Sequence, residues 1–230
     1  MSVHDGHRQR LKQRFLTEGL DGFSDIQVLE LLLFYAIPRK DTNPIAHALL
    51  DRFGSLSQVL EAPAEALCEV DGISTNSAVL LKLVTEVGRY YLVNRTTKHT
   101  ILPTVDKCAM YMLPFFFGRR VETVFLLCLD AKCKVLSCKE VGEGSVNSAS
   151  ISIRRIVEAA LAANATTVVL AHNHPSGLAI PSEEDIQTTR RLAAALQTVE
   201  ITLADHIVVA DDDYVSMVQS GYRFDDYLRI

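Results

Sequence analysis

Ala171-His172-Asn173-His174-Pro175-Ser176-Gly177, followed by Pro181-Ser182-Glu183-Glu184-Asp185, decides how this chain is read. Upstream, Thr166-Thr167-Val168-Val169-Leu170 is a β-branched run, so a strand leads into the segment. Side chains alternate along a strand, which brings His172 and His174 out on one face. Ser182 then opens a stretch with apolar or small residues at Ile186, Leu192, Ala193 and Leu196, read as a helix. Its first turn carries Asp185 back over the two imidazoles. Two neutral imidazoles and a carboxylate match a catalytic zinc site, which uses three protein ligands and leaves the fourth position to water. Ser182-x-x-Asp185 also reads as a helix N-terminal cap, with an acid facing the helix dipole. The order strand, His-x-His, stiff loop, Ser-x-x-Asp, helix favours the metal. His172, His174 and Asp185 are therefore the expected zinc ligands.

Outward from this segment, the chain alternates strands and helices. A helix from Val105 is expected, then strands Glu122 to Leu129 and Lys134 to Glu140, then a helix from Ile151 to Asn164. Beyond the second helix come strands Ile201 to Ala210 and Tyr214 to Met217. Strands alternating with covering helices indicate an α/β sandwich. Before residue 95 the pattern is helical instead: Arg8 to Phe15, Ile26 to Ala36 and Pro44 to Phe53, with Gly and Pro between them. Asn94-Arg-Thr-Thr-Lys-His-Thr100 is polar and aperiodic. The expected division is an all-helical domain over 1–95, a linker over 96–104 and the α/β domain over 105–227.

Composition limits the function classes. At 230 residues and 48% hydrophobic content the chain can bury one large core or two modest ones. The opening Met1-Ser-Val-His-Asp-Gly-His-Arg8 is polar and lacks the apolar run of a secretory signal, and Leu31 to Ile37 is too short to span a bilayer. Five cysteines, an odd number, do not suggest a disulfide framework. Cys128, Cys133 and Cys138 lack the spacing of a zinc site and read as reduced strand residues around a hairpin. A cytoplasmic location, with no membrane association, is expected.

His-x-His, seven residues, Ser, two residues, Asp resembles the JAMM (MPN-type) metalloprotease pattern. The fuller string from His172 to Gly177 with Pro181, Ser182 and Asp185 resembles the bacterial RadC family. So do Asp205-His206-Ile207-Val208-Val209 and Val215-Ser216-Met217, and, in the first domain, Gly19 to Phe23 and Glu30 to Tyr35. The resemblance implies a JAMM/MPN-like, cytidine-deaminase-like α/β sandwich and a zinc-dependent hydrolase of peptide or isopeptide bonds. It also implies that the Ser182 hydroxyl steadies the oxyanion, and that a glutamate from an upstream strand is the base. Glu143, at the end of its strand, is the expected base. Glu140, three residues earlier, falls on the opposite face if the strand is regular. The family's Pro-Arg-Glu step is represented here by Ile153-Arg154-Arg155, so Arg154 carries no assignment.

Leu67-Cys-Glu-Val-Asp-Gly72-Ile-Ser-Thr-Asn-Ser-Ala78 resembles the second half of a helix-hairpin-helix, with Ser74 in place of the second glycine. Phosphate contact requires positive charge. The net charge is −5, and Glu65, Glu69 and Asp71 crowd the turn. Helical packing or protein contact is favoured over DNA. Arg8, Arg10, Lys12 and Arg14 read as a solvated basic face. Three functions stand side by side: a zinc hydrolase acting on a peptide or protein, a DNA-repair accessory acting through the first domain, and a metal-stabilised scaffold without turnover. The complete ligand set argues against the scaffold, and the oligomeric state is open.

Overall fold

The computed structural model describes residues 3–95, 100–144, 152–175, 177–211 and 213–224, with side chains described from residue 6 onward. The chain forms two compact units, Met1–Gly88 and Arg89–Ile230.

The first unit is helical: α1 (Val3–Glu18), α2 (Asp25–Ala36), α3 (Asn43–Phe53), α4 (Leu56–Glu61), α5 (Ala64–Cys68) and α6 (Thr75–Arg95), the last continuing past the division. Ser24 starts α2 through a capping box, its side chain accepting from the Gln27 amide while Gln27 answers the Ser24 amide. Leu29, Leu33, Leu49, Leu67 and Leu81 meet in a dry core. The hairpin turn between α5 and α6 needs its glycine. Gly72 sits at φ +87°, and a Cβ there would stand 2.7 Å from Ile45 Cδ1. The α1 cations are not simply a solvated face. Arg8 donates to the Phe34, Ile37 and Lys40 carbonyls, and Arg14 donates to the Gly22 carbonyl and pairs with Glu18. Free carbonyls at the end of α2 attract a guanidinium, and alternation in sequence gave no sign of that long-range demand.

The second unit contains α7 (Val105–Phe116), β1 (Thr123–Leu129), β2 (Val135–Glu143), α8 (Ile153–Ala162), β3 (Thr167–Asn173), α9 (Glu183–Gln197), β4 (Thr202–Ala210) and β5 (Asp213–Ser216). One five-stranded sheet runs in the order β2-β1-β3-β4-β5. β1 is antiparallel to both β2 and β3, and β3 and β4 are parallel, joined by the crossover through α9. Alternation along the central strands fills both faces. Val124, Leu126, Val168 and Leu170 pack on Ile156 and Ala160 of α8 and on Ile186, Leu192 and Leu196 of α9. Phe125, Leu127, Val169, Ala171 and Ile207 pack on Cys108, Met112 and Phe116 of α7. Both faces are covered by helix, the α/β sandwich that the sequence pattern indicates.

Residues 96–99 of the stretch read as a linker lie outside the described residues. Thr100–Leu102 of that stretch is tied to the second unit. Ile101 bridges Lys134, the Leu102 amide donates to Cys133 O at 2.8 Å, and the Val135 amide donates to Thr100 O at 2.9 Å. All five cysteines are free thiols. Burial pushes the Cys108 thiol up to about 11. Among the described residues no helix is long and apolar enough to cross a membrane.

Candidate metal centre

β3 delivers the two histidines as its alternation requires. His172 pairs with Val124 across β1 and with Val208 across β4, so it lies on the α8/α9 face of the sheet and is fully buried. His174, one step past the strand, shares that face and is partly open to solvent. The two Nε2 atoms converge at 2.9 Å.

Asp185 reaches them from the first turn of α9. Ser182 caps that helix: its hydroxyl accepts from the Asp185 amide at 3.1 Å and donates to Asp185 Oδ2 at 2.6 Å, while its own amide donates to the same oxygen at 2.8 Å. The reciprocal bonds fix the carboxylate so that Oδ1 stands 3.4 Å from His172 Nε2 and Oδ2 stands 3.6 Å from His174 Nε2. Burial raises the Asp185 carboxyl, but the adjoining His172, together with Ser182, takes it below the ordinary carboxylate range. It stays ionised. The cap and the ligand readings of Ser182-x-x-Asp185 are thus one arrangement.

A fourth group completes the cluster. Glu122, His172, His174 and Asp185 each offer a ligand atom, all within 4.8 Å of one another. Glu122 immediately precedes β1 and is half-buried. The sequence reading missed it. Glu143 and Glu140 are not in this cluster, and the reason is a register shift. Thr123 pairs with Glu143, Val124 with Gly142 and Phe125 with Glu140, leaving Val141 as the extra residue. A bulge inverts parity beyond it. Both glutamates therefore lie opposite residues of the α7 face, away from His172. Glu140 accordingly pairs with Arg119 at 2.9 Å, and Glu143 is exposed. Arg154, left unassigned, forms a surface pair with Glu158.

Asn173, between the histidines, points to the opposite face and grips the backbone around Glu122. Its Oδ1 accepts from the Thr123 amide at 2.8 Å, and its Nδ2 donates to the Val121 and Arg119 carbonyls, each at 3.3 Å. One tripeptide thus supplies two imidazoles to the site and anchors the residues on either side of its second acid. Behind the site His206 is fully buried, its Nε2 2.8 Å from His172 Nδ1. Burial, then the neighbouring His172, holds its pKa well below the ordinary histidine range. Asp205 faces elsewhere. It accepts from the Ser216 hydroxyl and the Val218 amide and anchors the end of β5.

The donor set fits a zinc ion. At Zn–N bonds of about 2.0–2.1 Å, tetrahedral ligand atoms lie about 3.3–3.4 Å apart, close to the 3.4 and 3.6 Å from Asp185 to the two imidazoles, with the imidazole pair tighter at 2.9 Å. The carbonyl of Leu178 stands 3.0 Å from His174 Nδ1 and can only accept. The His174 proton therefore sits on Nδ1, and Nε2 presents a lone pair to the centre of the cluster. A site of converging lone pairs and two carboxylates wants a cation.

The family model of the RadC-like JAB domain matches residues 102–222 of this chain. A UPF0758 protein of Fusobacterium nucleatum subsp. nucleatum is 34% identical over 225 residues, covering 95% of this chain and 97% of the relative. A UPF0758 protein of Ruegeria pomeroyi is 34% identical over 216 residues, covering 94% and 96% respectively. The match spans the sheet and all four clustered residues, and the relatives extend it through the helical unit: the chain belongs to the RadC family, with a RadC-like JAB domain over residues 102–222.

Proposed function

We propose that this protein is a zinc-dependent hydrolase of peptide or isopeptide bonds, with His172, His174 and Asp185 as the metal ligands and Glu122 as the general base. The observation that carries this reading is the convergence of two imidazoles and two carboxylates within 4.8 Å at the end of β3. When bound, zinc at such a site acts as a Lewis acid, acidifying water and polarising a carbonyl.

The division of labour between the acids follows from their surroundings. Asp185 is buried and held by Ser182, which suits a ligand that keeps one position and one charge. Glu122 is half-buried, which suits a carboxylate that takes a proton from water and returns it to the leaving amine. Glu143 is withdrawn from that role. Ser182 reaches an oxyanion by turning its O–H away from Asp185 Oδ2, and a donor so used contributes about 2.7–4 kcal/mol to the barrier. The loop between His174 and Ser182 exposes Leu178 and Ile180, apolar surface for a bound peptide or protein. For the helical unit, Arg8 and Arg14 are engaged by backbone carbonyls and Arg52 is paired with Glu69. That supports packing or protein contact there in preference to DNA.

Elemental analysis of the purified chain should find about one zinc per chain. Profiling against a peptide library should find cleavage that Glu122→Gln abolishes with zinc retained and that Glu143→Gln leaves intact. A chain that binds no divalent metal overturns the site. A chain that binds zinc but cleaves nothing, with DNA affinity that falls steeply with salt, replaces the hydrolase with the DNA-associated reading.

A further inference from the structure

We propose that Thr189 and His206 form a hydrogen-bond relay that locks His172 in its Nδ1–H tautomer, so that the Nε2 lone pair faces the metal position. The inference rests on the zinc reading above but concerns two residues that touch neither metal nor substrate. They are positioning residues.

The direction of the relay follows from counting hydrogens. Thr189 Oγ1 lies 2.5 Å from the carbonyl oxygen of Asp185, one turn earlier in α9, and 2.5 Å from His206 Nδ1. The carbonyl has no hydrogen, so the single hydroxyl hydrogen of Thr189 goes to it. The Met217 sulfur, 3.8 Å away, is a poorer acceptor. Having given its hydrogen, the Thr189 oxygen can only accept, and His206 must carry its proton on Nδ1. A charged ring with no solvent contact and, among the described residues, no carboxylate hydrogen-bonded to it is costly, so Nε2 of His206 is left bare. That atom is 2.8 Å from His172 Nδ1, which must therefore be the donor. The proton of His172 is thereby held away from Nε2, the atom that stands 2.9 Å from His174 Nε2 and 3.4 Å from Asp185 Oδ1.

Thr189, His206 and His172 each have no exposed surface, so water does not compete for these bonds. Residue placement makes the relay part of the fold. Thr189 follows Asp185 by four residues, so one helix carries both the carboxylate ligand and the hydroxyl that sets the tautomer of another ligand. His206 lies opposite Leu170 in the parallel β3–β4 ladder. It therefore presents its ring on the same sheet face as His172, two residues further along β3.

The wild-type protein alone tests the relay. Long-range ¹⁵N–¹H correlation of the imidazoles, in the metal-free and zinc-loaded chain at neutral pH, should show His206 protonated on Nδ1 only in both forms. His172 should be protonated on Nδ1 in the metal-free form. A proton on Nε2 of His206, or a bare Nδ1 on His172, in the metal-free chain overturns the proposal. In zinc competition titrations, Thr189→Val, which keeps the shape but removes the acceptor, should weaken zinc by about 10–100-fold. Thr189→Ser should restore wild-type affinity. Wild-type affinity in Thr189→Val, or an equal loss in both variants, overturns the relay while leaving the ligand set intact. A wild-type chain that binds no zinc overturns the metal reading, and the metal-free imidazole spectrum then still decides the relay.

Discussion

Asn173→Ala separates the two jobs of the His-x-His segment. The substitution leaves both imidazoles in place and removes only the amide side chain on the other face of β3. Three hydrogen bonds go: one from the Thr123 amide at 2.8 Å and two to the Val121 and Arg119 carbonyls at 3.3 Å. Net contributions of about 0.5–1.5 kcal/mol apply to each, with the longer two at the low end. The Thr123 amide, on a residue with no exposed surface, is left orphaned, which by itself costs about 1–3 kcal/mol. These overlap, and a loss of about 2–4 kcal/mol from the second unit is expected, read by urea denaturation of the metal-free chain followed through that unit's amide protection. Zinc affinity should change little, because none of the three expected ligands loses a partner. Turnover of whichever peptide the profiling identifies should fall further. Releasing the backbone on both sides of Glu122 lets its carboxylate drift, and a displacement of about 1 Å can cost about 100-fold in rate. An Asn173→Ala chain that unfolds at the wild-type urea concentration and cleaves at the wild-type rate would refute the anchoring role. One that loses zinc in step with activity would show that Asn173 acts on the ligands and leaves Glu122 undisturbed.

Ser182→Ala removes the helix cap and one donor to Asp185. About 1 kcal/mol of stability should be lost, and hydrolysis should fall by more than that loss of stability accounts for; equal activity would reduce Ser182 to a cap. Gly72→Ala must take a Cβ at φ +87° and 2.7 Å from Ile45 Cδ1. Left-handed backbone alone costs about 1–2 kcal/mol, so urea should unfold the helical unit earlier while zinc content stays unchanged. The metal-free chain should lose stability as pH falls below about 6.5, the ordinary histidine value. His206, surrounded by His172, His174 and Asp185, has its pKa lowered by burial first and by His172 next, so the unfolded chain binds a proton that the folded chain refuses. Asp185, also lowered, adds a further loss of the same sign below about pH 4. Thermal melts across pH 5 to 8 check this; a flat profile there would mean that His206 titrates alike in both states.

Local signals explain most of what the sequence disclosed. The strand run before His172, the prolines of the loop and the Ser182 cap are all short-range features, and each appears within one or two residues of its expected place. Alternation along β3 was enough to put both histidines on one face. What local pattern did not carry was long-range demand. The carbonyls that Arg8 satisfies lie on α2 and just beyond it. Thr100–Leu102 reads as the end of a polar linker until Lys134 and Val135 supply its partners. The relay through Thr189 and His206 joins a helix and a strand that only the crossover brings together.

The misplaced base shows the same limit in the site itself. Parity from Lys134 onward separates Glu140 from Glu143 only if every residue of β2 stays in step, and Val141 falls out of step. Nothing in the local sequence marks that bulge apart from the glycine after it, whose missing side chain leaves the ladder free to slip. Glu122 was accessible by another route. In an antiparallel pair the start of one strand lies beside the end of the other, so a strand pairing antiparallel with β3 brings its first residues to the metal ligands. Val124 faces the α8/α9 core and pairs with His172, and Glu122 is two residues before Val124, on the same face by alternation. The missing premise was that β1, with its unbroken Thr-Val-Phe-Leu-Leu-Cys-Leu run, is an inner strand beside β3 while β2 lies at the sheet edge. A strand buried on both faces, as β1 is throughout, belongs inside a sheet. β2, with exposed residues along its length, belongs at the rim. Read that way, the acid at the head of the more apolar strand is the one delivered to the histidines.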